Sequence, residues 1–492
     1  MHPTPFACGA VSLRETLPKA HFLAADDVVA TSAASDWRAC RAGDVFFALT
    51  TADDDGHERA VDAIERGAVA VVAERLLPVQ VPQILVRDSR VALGRVCQAL
   101  AGDPSRELRT IGIAGSAGKT VTAMLLASVF EAAGEPVGVM SSIGHSDSFV
   151  QQPPIAATPS APEFASWLAR MHLAECKSAV LEFSRESLAE RRTSGIQLDA
   201  AILTNLHSPS TSNHSPRASE KITERLFRHL KTGGLAIVNA DDHRCRRLVT
   251  EITGGCLTFA IHSEADITAR VLERHPGEQT FLLCAGDETA PVRTRIIGDP
   301  HISNCLAAAA TGLASGLDLE TIVRGLETVD RVPGRMERLE CGQPFSVFVD
   351  AADAPQRLAL AIKSIRQVTR GRVFVVFGPR DDAGPPRRAL LGRVIERGAH
   401  VAIITSHQAR PKKLSPAAHD LLDGFERPQK AHVIPNRTTA VQFALDQAGS
   451  GDAVLIAGHC NNEPHDDRET ARQWLYTHAH RETTRPRFRV IG

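Results

Sequence analysis

Residues Thr110 to Gly134 read T-I-G-I-A-G-S-A-G-K-T-V-T-A-M-L-L-A-S-V-F-E-A-A-G. A short apolar run around Ile111 and Ile113 ends in small residues, and an amphipathic helical pattern begins at Lys119. That is strand, glycine loop, helix. Gly115 and Gly118, with Ser116 and Ala117 between them, let backbone come close to a polyphosphate, and the free N–H groups of the following helix point at it. Lys119 would reach the outer phosphates, and the Thr120 hydroxyl would hold Mg²⁺. Gly134 stands where a helix-ending glycine belongs. The full phosphate-loop pattern wants another glycine where this chain has Ile113, but the strand before and the helix after supply the required context. The stretch reads as a nucleotide site for Mg·ATP.

Composition bounds what surrounds that site. A chain of 492 residues is too long for one hydrophobic core, so several domains are expected. A formal net charge of −1 speaks against a general nucleic-acid or membrane-surface binder. No run approaches the ~18 apolar residues that cross a bilayer, and none reads as a secretory signal. The 10 cysteines have no C-x-x-C spacing and read as thiols of a reducing compartment, so a cytoplasmic location is expected.

Outward from the loop, short apolar runs alternate with helix-length segments. The runs at 111–114, 179–183, 200–206 and 235–238 imply a mostly parallel sheet covered on both faces. Ligands of such sheets bind at strand ends, and Glu182 ends the second run. It is either a solvated strand end or the carboxylate that a phosphate loop needs for its Mg²⁺; the loop favours the second. Further runs at 373–377, 401–405 and 454–457 repeat the alternation, Rossmann-like but with no G-x-G-x-x-G. Before residue 105, apolar runs separated by Gly and Asp suggest a small α/β domain. The fold class expected is α/β with three domains: a small amino-terminal one (1–106), a central phosphate-loop ATPase domain (107–331) and a Rossmann-like carboxy-terminal one (332–492).

The loop Gly115-Ser116-Ala117-Gly118-Lys119-Thr120 resembles the G-T-N-G-K-T of the Mur ligases, and the likeness extends from Asp36 to Gly458 in the same order. Glu182-Phe183-Ser184 is similar to the family's E-V-S, Thr204-Asn205-Leu206 to its T-N-L, and Asn239-Ala240-Asp241-Asp242 to its N-A-D-D. Val332 to Leu339, V-P-G-R-M-E-R-L, matches closely. The amino-terminal part looks like that of the MurE-type muramyl-tripeptide synthetases, with Asp36-Trp37-Arg38 for D-S-R and Asp55-Gly56-His57 for D-G-H. The resemblance implies an ATP-dependent ligase that joins an amino acid to a UDP-linked muramyl peptide through an acyl phosphate, in cell-wall precursor synthesis. It implies Lys119 and Glu182 as catalytic, and Thr120 and Glu182 as Mg²⁺ ligands. The loop, Asn304, Arg335 and Asp350 would hold ATP. Asp36, Arg38, Asp55, Gly56, His57, Thr158 and Arg410 would hold the other substrates. A monomer is expected.

Several family positions differ. S-H after the glutamate is Arg185-Glu186, and the histidine of the second metal site is Ser210. His301 replaces the first asparagine of the motif that ends in Asn304, and D-N-P-R is His407-Gln408-Ala409-Arg410. The lysine that the family carbamylates falls on Thr223 or Glu224, so Glu224 is either a replacement carboxylate or an ordinary helix residue. Three functions stay open on this reading: a ligase with an altered second-metal site, an ATP-binding relative that serves as scaffold or regulator, and an unrelated phosphate-loop NTPase or small-molecule kinase.

Overall fold

Strand Arg109–Ala114 is the axis of the first sheet. Thr110, Ile111 and Ile113 favour extended backbone, and every residue from Thr110 onward is buried, as a parallel strand covered on both faces requires. The protein is described by a computed structural model covering residues 9–51, 54–154, 158–206, 216–252, 254–380, 384–407, 415–458 and 467–483. It folds as two compact units, the first from residues within 1–206, 217–258 and 310–317, the second from the rest.

In the first unit, Arg109–Ala114 lies between two parallel partners, Ser178–Glu182 and Leu198–Leu203. Val137–Ser141 and Leu230–Asn239 extend the sheet on either side, also parallel. Register decides what gathers at the carboxyl ends. Ile113 stands opposite Glu182, and Ala114 opposite Leu203. The loop that starts at Gly115 therefore emerges between Glu182 and the pair Thr204-Asn205. Helix Lys119–Ala132 then returns over strands Val137–Ser141 and Ser178–Glu182.

A second, five-stranded sheet in this unit runs His21–Leu23, Gln83–Leu85, Ala70–Ala73, Val45–Phe47, Ala33–Ala34. Its strands alternate strictly: Val45, Phe47, Ala70 and Val72 face one core, Phe46, Val71 and Ala73 the other. The first of these cores also takes in Leu93, Val96 and Leu100 of helix Ser89–Leu100, and Ala161 and Ala165 of helix Ala161–Leu173. Apolar packing thus joins residues on either side of position 106.

In the second unit, strands Ile267–His275, Glu278–Ala285 and Glu288–Thr294 form an antiparallel meander. A six-stranded sheet follows, ordered Glu337–Leu339, Ser346–Asp350, Ala453–Ala457, Val373–Phe377, Val401–Ile404, His432–Val433, with only its first pair antiparallel. Val373, Val375 and Phe377 enter one core and Phe374 and Val376 the other, so this sheet too is covered twice. The fold is mixed α/β, as expected. Among the described residues the cysteines are free thiols, and no helix is long and apolar enough to cross a membrane.

Candidate active site

The loop's geometry follows from its two glycines. Gly115 has φ +144, and a Cβ there would lie 2.0 Å from Thr204 Oγ1; Gly118 has φ +86 as it leads into the helix. Neither position suits an L side chain. The strand beside the loop then holds it closed. Asn205 Oδ1 accepts from the N–H groups of Ser116 (3.1 Å) and Ala117 (2.9 Å), and its amide donates to Ala117 O at 3.0 Å. Thr204 Oγ1 donates to Ala117 O at 2.6 Å. Asn239 donates to Thr204 O at 2.8 Å, and Asp242 accepts from Leu206 N–H at 2.7 Å. The T-N-L and N-A-D-D segments, visible in the sequence as strand ends, are therefore the frame of the loop.

At the start of the helix, Thr120 Oγ1 donates to Glu182 Oε2 at 2.9 Å and lies 3.0 Å from Ser142 Oγ. The same carboxylate oxygen accepts from Ser142 N–H at 3.0 Å. Lys119 Nζ donates to Gly115 O at 3.1 Å and sits 3.8 Å from Glu182 Oε1. With side-chain exposures of 17% and 9%, Lys119 and Glu182 form a shielded charge pair beside the loop, where Coulomb forces act more strongly than in water. A hydroxyl and a carboxylate side by side are hard oxygen donors that fit Mg²⁺. Among the described residues no cluster of three or more His, Cys, Asp or Glu forms a metal cage.

Close by, Thr158 Oγ1 donates to Glu186 Oε2 at 2.9 Å and lies 3.5 Å from Ser184 Oγ. Arg192 donates to Thr158 O at 2.9 Å and pairs with Glu190 at 2.6 Å. Ser184 caps helix Arg185–Ala189 by accepting from Ser187 N–H. The position that is histidine in the family therefore presents a carboxylate to Thr158. Sequence reasoning had the substitution but not its neighbour. Glu224 lines a different cleft, with Phe227, Gly233 and Glu251. That cleft lies at the start of strand Leu230–Asn239, whereas the loop stands at the strand ends. Burial, then the Glu251 and Glu220 charges, push the Glu224 pKa up. Of the two readings of Glu224, this placement favours the ordinary helix residue.

Asp55, Gly56 and His57 form a tight turn. His57 Nδ1 lies 2.7 Å from Asp55 Oδ1, which also accepts from His57 N–H at 3.0 Å. His57 Nε2 accepts from Glu74 N–H at 3.1 Å, and Arg75 reaches Asp55 at 3.0 Å. Burial raises the Asp55 pKa, but the two His57 bonds and the Arg75 bond outweigh it and hold the carboxyl below its ordinary range. A Cβ on Gly56 would lie 2.7 Å from Leu49 N, so this close approach admits only glycine. Asp36 caps the short helix Trp37–Ala39 by accepting from Arg38 N–H, and Arg38 and Arg66 both stack on Trp37. Asp36 and Arg38 are exposed, and the bulky indole between them is held by two guanidinium groups.

Arg335, Asp350 and Asn304 belong to the second unit. Asp350 Oδ2 accepts from Met336 N–H at 2.7 Å. Burial raises the Asp350 pKa, and the Arg335 charge opposes that rise. Arg335 and Asp350 are thus neighbours. Asn304 lies, 7% exposed, on helix Asp299–Ala314. On the same helix His301 is 3% exposed, with Nε2 3.6 Å from Cys305 Sγ, and burial pushes its pKa down to about 3. Arg410 and Ser210 lie outside the described residues.

Residues 113–312 match the Mur ligase middle domain, and residues 334–460 the Mur ligase glutamate ligase domain. A UDP-N-acetylmuramoyl-L-alanyl-D-glutamate--2,6-diaminopimelate ligase of Geobacillus kaustophilus is 33% identical over 440 residues, covering 88% of this chain and 90% of that relative. A UDP-N-acetylmuramyl-tripeptide synthetase of Roseiflexus sp. is 32% identical over 448 residues, covering 86% and 88%. A solved UDP-N-acetylmuramoyl-L-alanyl-D-glutamate--2,6-diaminopimelate ligase shares the fold at TM-score 0.70 and 24% identity, over 96% of this chain and 100% of that one. A MurF ligase from Thermotoga maritima in complex with ADP does so at 0.65 and 18%, over 92% and 98%. With its phosphate loop, its Lys119–Glu182 pair and this end-to-end likeness, the chain belongs to the Mur ligase family of ATP-dependent ligases.

Proposed function

We propose that this protein adds an amino acid to a UDP-N-acetylmuramoyl peptide in peptidoglycan precursor synthesis. The observation that carries the reading is the Lys119–Thr120–Glu182 constellation at the loop, in a chain similar over most of its length to ligases of that substrate. Residues 1–106 would hold the UDP part, residues 107–331 ATP, and residues 332–492 the incoming amino acid, with Arg410 on its carboxylate.

The substrate carboxylate takes the γ-phosphoryl group of ATP, and the amine then displaces phosphate from the acyl phosphate. Two anions must first be brought together, so cationic groups at the loop decide the rate. Lys119 would turn from Glu182 and Gly115 O to the phosphates. Thr120 and Glu182 would hold Mg²⁺, which when bound offsets phosphate charge. Asn205 and Thr204 keep the loop in its binding shape. Asp350 and Arg335 would also contact nucleotide.

ATP consumption with UDP-muramyl dipeptide and a panel of amino acids tests the proposal. Amine-dependent phosphate release, abolished in Lys119→Ala, is expected. ATP binding without turnover for any acid–amine pair would overturn it in favour of a scaffold or regulatory relative.

A further inference from the structure

A second cationic cleft lies at the opposite end of the central sheet from the loop. It has a volume of about 470 Å³ and is formed by helix Ser89–Leu100, the turn 193–197 and residues 225–232. The turn feeds strand Leu198–Leu203, whose far end carries Thr204 and Asn205. Six residues of strand separate the two places, roughly 20 Å at ~3.3 Å per residue.

Five cations line this cleft: Arg95, Arg191, Arg225, Arg228 and Lys231. Two are matched by carboxylates, Arg191 by Asp88 at 3.1 Å and Lys231 by Asp199 at 2.8 Å. Among the described residues Arg225 donates to the carbonyls of Leu188 (3.1 Å) and Ala189 (2.9 Å) and to no carboxylate. Arg95 and Arg228 have no carboxylate within ion-pair reach among the described residues. Positive charge is therefore in excess here, in a chain whose formal net charge is −1. Burial, then the Arg191 and Arg228 charges, push the Arg225 pKa down, and the Asp88 charge only partly opposes them.

The framework is rigid. A Cβ on Gly94 would lie 2.6 Å from Ser194 O, so the helix is seated directly on the turn, with Arg95 beside the contact. His229 bridges the floor, 3.1 Å from Thr193 Oγ1 and 3.1 Å from Ile196 O. No Trp, Tyr or Phe lines the cleft among the described residues, so it offers guanidinium groups for phosphate and no flat apolar ring for a base. We propose that this cleft is a second anion site, which takes a small phosphate-bearing molecule through Arg95, Arg191, Arg225 and Arg228. Concave walls of one charge sign concentrate such an anion.

The site stands apart from the ligase reading, and its test is independent. Inorganic pyrophosphate is titrated calorimetrically into the full chain carrying Lys119→Ala, which weakens the phosphate loop as a competitor. Binding that weakens with added salt is expected, and Arg95→Gln with Arg228→Gln should lower it roughly tenfold or more. Both side chains are exposed, so the pair should leave Mg·ATP binding in the otherwise unaltered chain unchanged. UDP binding that the two substitutions weaken tenfold or more would identify a nucleoside diphosphate; UDP binding that they leave unchanged is that of residues 1–106, and inorganic phosphate is then the feature read here. The proposal is overturned if pyrophosphate fails to bind, or binds equally well after both substitutions. It is also overturned if a short oligodeoxythymidylate binds where pyrophosphate does not.

Discussion

Gly115→Ala is the sharpest probe of the loop. At φ +144 an alanine is strained by about 1–3 kcal/mol. Its Cβ would also sit 2.0 Å from Thr204 Oγ1, far inside contact distance. The free loop relieves both by moving away, which breaks the bonds that Thr204 and Asn205 make to Ala117. Nucleotide must then restore the bound shape, so the strain reappears as lost affinity. The backbone strain alone corresponds to a roughly 5- to 150-fold rise in Kd for Mg·ATP. Calorimetric titration measures it directly. A double-mutant cycle separates the two causes: Thr204→Ala removes the clashing oxygen, so in the Gly115→Ala background it should cost less than alone. Binding within twofold of the unaltered protein would refute the reasoning, since it would mean that the loop does not need this conformation to hold phosphate.

Glu182→Gln keeps the shape but removes the charge; turnover should fall by ~10²–10³, and an unchanged rate in a Mg²⁺ titration would remove Glu182 from the site. Glu224→Gln should leave turnover within about twofold, because Glu224 lines the cleft with Phe227 and Glu251 and not the loop. Arg437 and Asp467 are 3% and 7% exposed and doubly bonded at 2.8 and 2.7 Å, so Asp467→Ala leaves a buried unpaired cation. A loss of about 3–5 kcal/mol in urea unfolding of the second unit is expected, and one below about 1 kcal/mol would refute it. His301 is held neutral, with its folded pKa of about 3 below the unfolded ~6.5. Its share of stability is therefore full above pH ~6.5 and drains as pH falls toward 3. His301→Gln should flatten that acid slope, and an unaltered slope would show that His301 does not drive it.

What the sequence alone determined was local. The strand–glycine–helix order at Thr110 to Gly134 and the alternating runs of both sheets follow from backbone preference and side-chain period, properties of near neighbours. Glu182 was legible for the same reason: a carboxylate that ends a buried strand falls at the edge where ligands bind. The clamp on the loop was not, because Asn205 meets Ser116 across 89 residues and only the pairing of Ala114 with Leu203 brings them together. The direction of strand Leu230–Asn239 likewise separated Glu224, whose cleft lies at its start, from the loop at the strand ends. Helix placement turned Glu186 toward Thr158 and gathered Arg95, Arg191, Arg225 and Arg228 around one cleft. Such contacts between distant segments leave no periodic trace in the chain. They depend on which strands pair and which helix faces are buried, and those are set only when the core closes.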